Sequence, residues 1–277
     1  MMKQLAVKVI PFGAPAKDEF FINGSQQMTV HEVAQELFIT KTVSEFGIRS
    51  SHISAGRSNV GSNFVELQDC FICHGPYSEA LLEAWDDWAD TKDSENDRPD
   101  FLPNNQLYAV LIMVNAGADL EHFKIQPVNS GTAPCTPLSK NYKLKSATGA
   151  DGASTNKTWA MVRSILLQTI YSLYIAEKEL KLEHRDLHWG NLMCQTNSLW
   201  VGAHQEYFLG EDMGYIRVPL EGVKVTIIDF TLSRCENEQG MLMYNKMEDE
   251  ALFTGEGDYQ VCVLNGFIDV NRILLIV

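Results

Sequence analysis

The first apolar stretch, Gln4 to Ile10 (Gln-Leu-Ala-Val-Lys-Val-Ile), has the length and spacing of a β-strand. From Thr29 to Phe46 the spacing becomes helical, with Val33, Leu37 and Val43 near one face. Thr29 is placed to cap this helix, and Glu32, three residues on, completes a capping box. Ser78 to Asp90 reads as a second short helix rich in Leu and Trp, followed by a polar turn at Asp93–Asp97. Leu107 to Val114 is an apolar run of strand length. Pro127 to Lys157 turns to Ser, Thr, Gly, Pro and Asn without apolar periodicity, the signature of a flexible surface insertion. A long helix is expected from Trp159 to Glu179, with Val162, Leu166, Ile170 and Leu173 as its apolar stripe. Lys224 to Phe230 reads as a buried strand carrying an acid near its end. Strands with one helix come first and helices are expected to dominate later, an order that suits a two-lobed α+β protein.

Composition narrows the picture. At 277 residues, 45% hydrophobic and 21% charged, the chain is long enough for one large domain or two modest ones. No run of eighteen apolar residues suggests a membrane span, and the opening residues carry no secretory cleavage pattern. Acidic residues outnumber basic ones, 36 against 22, for a net charge of −14. That balance argues against broad contact with a DNA backbone; it serves solubility and also suits a basic peptide partner. The six cysteines are scattered and form no disulfide framework, so a reducing intracellular compartment is expected.

The densest chemistry lies in Glu183-His184-Arg185-Asp186-Leu187-His188-Trp189-Gly190-Asn191, directly after the long helix. An acid followed five residues later by an asparagine supplies two needs of phosphoryl transfer. One is a carboxylate to orient a hydroxyl and take its proton; the other is a neutral oxygen ligand for Mg²⁺. Downstream, the apolar strand delivers Asp229, a second candidate ligand for a metal bridging phosphates. Upstream, Ala6-Val7-Lys8 has the form of a strand lysine that contacts ATP phosphates, and Glu36 on the next helix is its expected partner. In this frame Met113 lies near the adenine pocket, with backbone groups from Val114 to Ala116 available to the base.

These residues resemble haspin-like protein kinases. The resemblance rests on the loop from Glu183 to Asn191, with His188 where most protein kinases carry Lys or Arg. It also rests on the divergent Asp229-Phe230-Thr231-Leu232-Ser233-Arg234 and on Leu252-Phe253-Thr254-Gly255-Glu256-Gly257-Asp258-Tyr259-Gln260. Asn96 to Phe101 and Gly117 to Glu121 are similar too, so it runs from about Leu5 to Gln260, interrupted at 127–157. It implies a single bilobal kinase-like domain: 1–114 in the amino-terminal lobe, 115–260 forming the hinge and carboxy-terminal lobe, and 261–277 a divergent tail. By the same resemblance Asp186 is the catalytic base with His188 beside it, and Lys8 with Glu36 positions the phosphates of ATP. Asn191 and Asp229 hold Mg²⁺, Asp119 contacts the ribose, and Glu121 with Asp249 receives a basic histone tail. A nuclear protein that reaches chromatin through histone rather than DNA follows from that substrate.

Against the family pattern, only seven residues precede Lys8, leaving no room for a glycine-rich loop, and the tail from Val261 to Val277 departs from it. Both lobes are therefore expected to be incomplete. An active Ser/Thr kinase and an inactive pseudokinase or binding module both stay open at this level. A third motif, Cys70-Phe71-Ile72-Cys73-His74, has the spacing of a c-type haem attachment site.

Overall fold

The structure, a computed structural model, describes residues 4–13, 21–52, 63–92, 94, 96–126, 152–237 and 239–245. Strand β1 (Leu5–Phe12) is followed by the two-residue strands β2 (Phe21–Ile22) and β3 (Ser25–Gln26), which pair with each other. Helix α1 (Val30–His52) comes next, then β4 (Leu67–Gly75), α2 (Glu79–Lys92) and β5 (Gln106–Val114). β5 sits between β1 and β4, antiparallel to both. Its near-continuous apolar sequence reflects that central place.

One face of this sheet packs on α1. Ile10, Phe12, Ala109 and Leu111 meet Val33 in a buried cluster. The expected capping box is present: the Thr29 N–H donates to Glu32 Oε2 at 2.6 Å and the Glu32 N–H to Thr29 Oγ1 at 3.3 Å. α1 continues past the expected end at Phe46, carrying Gly47 in its interior. An interior glycine costs only about 1 kcal/mol, less than the packing of Ile39 and Val43 contributes on the same helix.

The second half is built on α3 (Gly152–Leu180), which begins inside the segment expected to be a flexible insertion. Its polar opening residues satisfy a helix that faces water there; Trp159 is among the exposed large residues. Three clusters follow one another along its length. Met161 and Ile165 pack on Cys194, Val223 and Val225; Tyr171 packs on Tyr207, Leu209 and Val218; Ala176 and Leu180 join Ile39, Val43, Phe64 and Phe230. The expected stripe is therefore rotated, and Leu166 points outward at 51% exposure. Buried Gln168 and Ser172 occupy the inner face instead.

Around α3, β6 (Ala118–Asp119), β7 (Leu192–Thr196) and β10 (Val223–Ile227) form a sheet in the order β10-β7-β6. β8 (His204–Phe208) pairs with β9 (Tyr215–Pro219), and β11 (Arg234–Glu236) with β12 (Leu242–Tyr244). Among the described residues, then, strands rather than helices follow α3, a correction to the sequence expectation. These strands are three to five residues long and joined by tight turns, too short for apolar periodicity to separate them from helix. No described helix is long and apolar enough to cross a membrane.

Two backbone devices position the site. Asn63 to Val65 is stitched to β10: the Ile227 N–H donates to Asn63 O at 2.6 Å and the Val65 N–H to Ile227 O at 3.0 Å. The Asn63 side chain is a buried hub. Its Nδ2 donates to Gln168 Oε1 (3.0 Å) and Val225 O (2.7 Å). Its Oδ1 accepts from Ser172 Oγ (2.9 Å), Gln205 Nε2 (2.9 Å) and the Tyr207 hydroxyl (2.6 Å). Further along, Gly117 takes φ +99°, and a Cβ there would lie 2.2 Å from the Cys194 carbonyl oxygen. Gly117→Ala is expected to cost roughly 2–4 kcal/mol of stability in urea unfolding. A loss below about 0.5 kcal/mol would mean that β6 separates from β7 without consequence.

Cys70 and Cys73 lie on β4, opposite Leu111 and Tyr108 of β5. An odd spacing on a regular strand sends them to opposite faces of the sheet, which does not suit attachment to one haem edge.

Candidate active site

Lys8 leaves β1 toward α1 and the loop after β10. Its Nζ lies 2.7 Å from Glu36 Oε1 and 3.1 Å from Asp229 Oδ1. Glu36 is 1% exposed, and its Oε2 has no hydrogen-bond partner among the described residues. Burial works against the Lys8 charge, but Glu36 and Asp229 outweigh it and lift the pKa above the ordinary lysine value. Burial likewise opposes ionisation of Asp229, and Lys8 with the Thr231 hydrogen bonds more than reverses it, holding that carboxyl below its ordinary value. Both groups are thus charged at neutral pH.

Asp229 stands two residues beyond β10 at φ 62°, a left-handed conformation that is strained for a residue with a Cβ. Thr231 holds it there: its Oγ1 donates to Asp229 Oδ1 at 2.6 Å and its N–H to the same oxygen at 3.3 Å. With Lys8, three donors converge on Oδ1, and Oδ2 receives none of them.

The loop from Glu183 to Asn191 is laced to the same segment. Glu183 and Arg234 exchange backbone hydrogen bonds at 2.8 and 2.9 Å, and the Ile228 N–H donates to Asn191 O at 3.1 Å. His184 is buried at 1% exposure, with its ring 5.3 Å from that of Phe230. Its Nε2 lies 3.0 Å from Ile228 O, which can only accept, so the proton sits on Nε2. Burial lowers its pKa and keeps it neutral. Arg185 takes φ 65° and directs its guanidinium to Glu183 (Nε to Oε2, 2.9 Å), while Arg234 Nη1 meets Glu183 Oε1 at 2.9 Å.

Within this frame Asn191 is 6% exposed and its Nδ2 donates to Asp186 O (2.9 Å) and Asp186 Oδ2 (3.4 Å). The amide nitrogen being committed, the amide oxygen is the atom left to meet a cation. The Asp186 carboxylate stays open to solvent, its side chain 41% exposed. His188 Nδ1 accepts from the Gly190 N–H at 3.1 Å, so its neutral ring carries the proton on Nε2, 4.0 Å from Asp186 Oδ2.

At the hinge, Met113 is half-buried against two core clusters. The Val114 N–H donates to Glu66 O and the Asn115 N–H to Gln4 O, both at 2.9 Å. The Asn115 carbonyl accepts from Gln195 Nε2 at 2.8 Å, and Ala116 is half-buried beside it. The Leu120 N–H donates to Trp189 O (3.1 Å) and Leu192 O (2.8 Å), which draws Asp119 and Glu121 toward the Glu183–Asn191 loop. Asp119 Oδ1 accepts from the His122 N–H at 2.9 Å and lies 2.7 Å from His122 Nδ1. Glu121 is exposed, with a carboxylate oxygen within 4.8 Å of those two side chains' polar atoms.

The fold thus gathers Lys8, Glu36 and Asp229 into one ion trio and sets Asp186, His188 and Asn191 on the adjoining loop. Asp249 and the segment from Leu252 to Gln260 lie outside the described residues. Sequence reasoning missed Thr231 as the group that holds Asp229, although threonine in the place of the usual glycine was its signal. It also missed Glu183 as the partner of both arginines.

A family model described as haspin like kinase domain matches residues 147–270. The serine/threonine-protein kinase haspin of Mus musculus is 36% identical over 239 residues, covering 86% of this chain and 26% of that protein. The Bos taurus protein of the same name is 34% identical over 256 residues (92% and 27%). The Arabidopsis thaliana haspin homolog is 30% identical over 247 residues (89% and 34%). The chain spans about a quarter of the length of the two mammalian relatives and a third of the plant one. Likeness over most of the chain, together with a protein-kinase-like arrangement of mixed helix and strand, shows that it belongs to the haspin-like kinase family.

Proposed function

We propose that this chain is a protein serine/threonine kinase that transfers the γ-phosphate of ATP to a threonine in a basic histone tail. The observation that carries the reading is the ion trio, in which one lysine bridges a buried glutamate at 2.7 Å and the strained Asp229 at 3.1 Å. A lysine so held is a fixed cation for phosphate oxygens, and its position is set before any ligand arrives.

In this reading the Asp186 carboxylate accepts the threonine hydroxyl proton as the new O–P bond forms and the bond to the β-phosphate breaks, releasing ADP. His188, its tautomer set by Gly190, presents Nε2–H beside the reacting oxygens. Asp229 Oδ2 and the Asn191 amide oxygen are hard donors suited to Mg²⁺, and the chain leaves both oxygens for it. When bound, that ion neutralises phosphate charge. Met113 lines the adenine pocket, Val114 to Ala116 offers backbone groups to the base, and Asp119 meets the ribose. Glu121 and Asp249 pair with Lys and Arg of the substrate, in keeping with the net charge of −14. Such a substrate implies work in the nucleus, on chromatin reached through histone.

The test is phosphotransfer from ATP–Mg²⁺ to a threonine peptide flanked by Lys and Arg, with an Asp- and Glu-flanked peptide as control. Preferred transfer to the basic peptide is expected, together with a Mg²⁺-dependent rise in melting temperature on adding ATP. A folded chain that binds ATP–Mg²⁺ but transfers nothing would overturn the proposal in favour of a binding module.

Gly190 allows a sharper probe of His188. A Cβ on residue 190 would fall 2.8 Å from His188 Cε1 and 3.0 Å from Nδ1, so the ring swings aside while the backbone stays. Gly190→Ala is therefore expected to reduce kcat by about tenfold, as His188→Ala does, with the melting temperature nearly unchanged. Full activity in Gly190→Ala would remove His188 from the mechanism.

A further inference from the structure

We infer that Asn245 is a positioning residue, a latch whose side-chain amide ties helix α1 to the Asp229–Thr231 loop and so keeps the Lys8–Glu36–Asp229 trio assembled. The inference rests on the reading of that trio as the phosphate-positioning site. Asn245 Nδ2 donates to Glu32 O at 3.1 Å and to Thr231 O at 3.0 Å, bonds that reach 213 and 14 residues along the chain.

Both acceptors are telling. In an α-helix the Glu32 carbonyl faces the N–H of the residue four places on, which is Glu36, the helix's contribution to the trio. Thr231 is the residue whose N–H and hydroxyl hold Asp229 Oδ1. A single nitrogen thus touches the helical turn that carries one acid and the loop that carries the other. The amide's orientation follows from chemistry: carbonyls only accept, so the NH₂ must face them. Asn245 is 5% exposed, and its Oδ1 has no partner among the described residues. Only the two donated bonds satisfy it.

The latch has a rigid root. Asn245 directly follows β12, whose Met243 is buried with Ile39 and Val43 of α1 and with Phe230. β12 pairs with β11 through Arg234↔Tyr244, and Arg234 in turn holds Glu183 at the start of the Asp186 loop. Displacing the segment after Thr231 would therefore release α1 and Asp229 together, so a partner or modification that acts on this segment has a direct route to Lys8.

The experiment compares Asn245→Ala, Asn245→Asp and Asn245→Gln in the full chain. Asn245→Ala deletes the donor, Asn245→Asp sets oxygen against two carbonyls, and Asn245→Gln keeps an NH₂ on a longer arm. Expected is a fall in kcat of about tenfold for Ala and more for Asp, with a rise in KM for ATP and partial recovery in Gln. Amide hydrogen exchange should quicken in α1 and the Asp229–Thr231 loop, while β5 and the middle of α3 stay protected. If Asn245 only supports the fold, all protected amides speed up together and the kinetic constants of the folded fraction are unchanged; that result overturns the latch. A wild-type chain without kinase activity would count against the proposed function, whereas the exchange pattern would still decide on the latch.

Discussion

Asp186→Asn is expected to lower phosphotransfer by about 10²–10⁴-fold while the protein stays folded and still binds ATP–Mg²⁺. The substitution is nearly isosteric, and the Asn191 amide retains its 2.9 Å bond to the backbone carbonyl of residue 186. Lost is the ability to take a proton: an amide oxygen is far too weak a base to receive one from a threonine hydroxyl as the O–P bond forms. Because the side chain is 41% exposed and takes little part in packing, unfolding should shift by no more than about 0.5 kcal/mol. Single-turnover kinetics with saturating ATP separate the lost step from binding. A variant within a few-fold of wild type would show that the hydroxyl is activated elsewhere, and the assignment of Asp186 would fall. A large loss accompanied by lost nucleotide binding would instead mean that the residue shapes the cleft.

Asn63→Leu should be the most damaging single change to stability, at roughly 3–5 kcal/mol. Leucine fills a similar volume but answers none of the surrounding groups. The Tyr207 hydroxyl, Gln205, Gln168 and Ser172 each lose a bond to residue 63, and all four are buried. Leaving a buried polar group unpaired costs about 1–3 kcal/mol, and water has no route to repair these. Against a typical stability of about 5–15 kcal/mol such a loss brings the protein near its unfolding threshold. Urea unfolding reads the effect directly, and a change below about 1 kcal/mol would mean that the hub rearranges around leucine.

The same hub explains why part of the fold escaped the sequence. The capping box at Thr29 and Glu32 and the apolar run of β5 are local signals, and both were legible. On α3 the inner face carries Gln168 and Ser172, buried only because Asn63 answers them from more than a hundred positions away. Read by hydrophobicity, those residues belong outside and Leu166 belongs inside, so the expected stripe was rotated. The candidate site divides along similar lines. Lys8, Glu36, Asp186, Asn191 and Asp229 were legible because phosphoryl transfer demands those side chains in that order on those elements. Thr231, Glu183 and Asn245 act through one or two hydrogen bonds to distant backbone or carboxylate groups, and nothing in their own neighbourhood marks them.

The stitch between Asn63–Val65 and β10 also bears on how the molecule comes apart. Phe64 and Val65, from the segment ahead of β4, share one apolar cluster with Ala176, Leu180, Ile227 and Phe230 from beyond the hinge. Neither half owns that cluster, so neither keeps a complete interior when the other is removed. Severing the chain near Ala116 should accordingly yield two pieces that do not fold apart but reassociate when mixed. The intact protein should then melt in one cooperative step, with the ATP cleft and the β8–β9 hairpin lost at the same temperature.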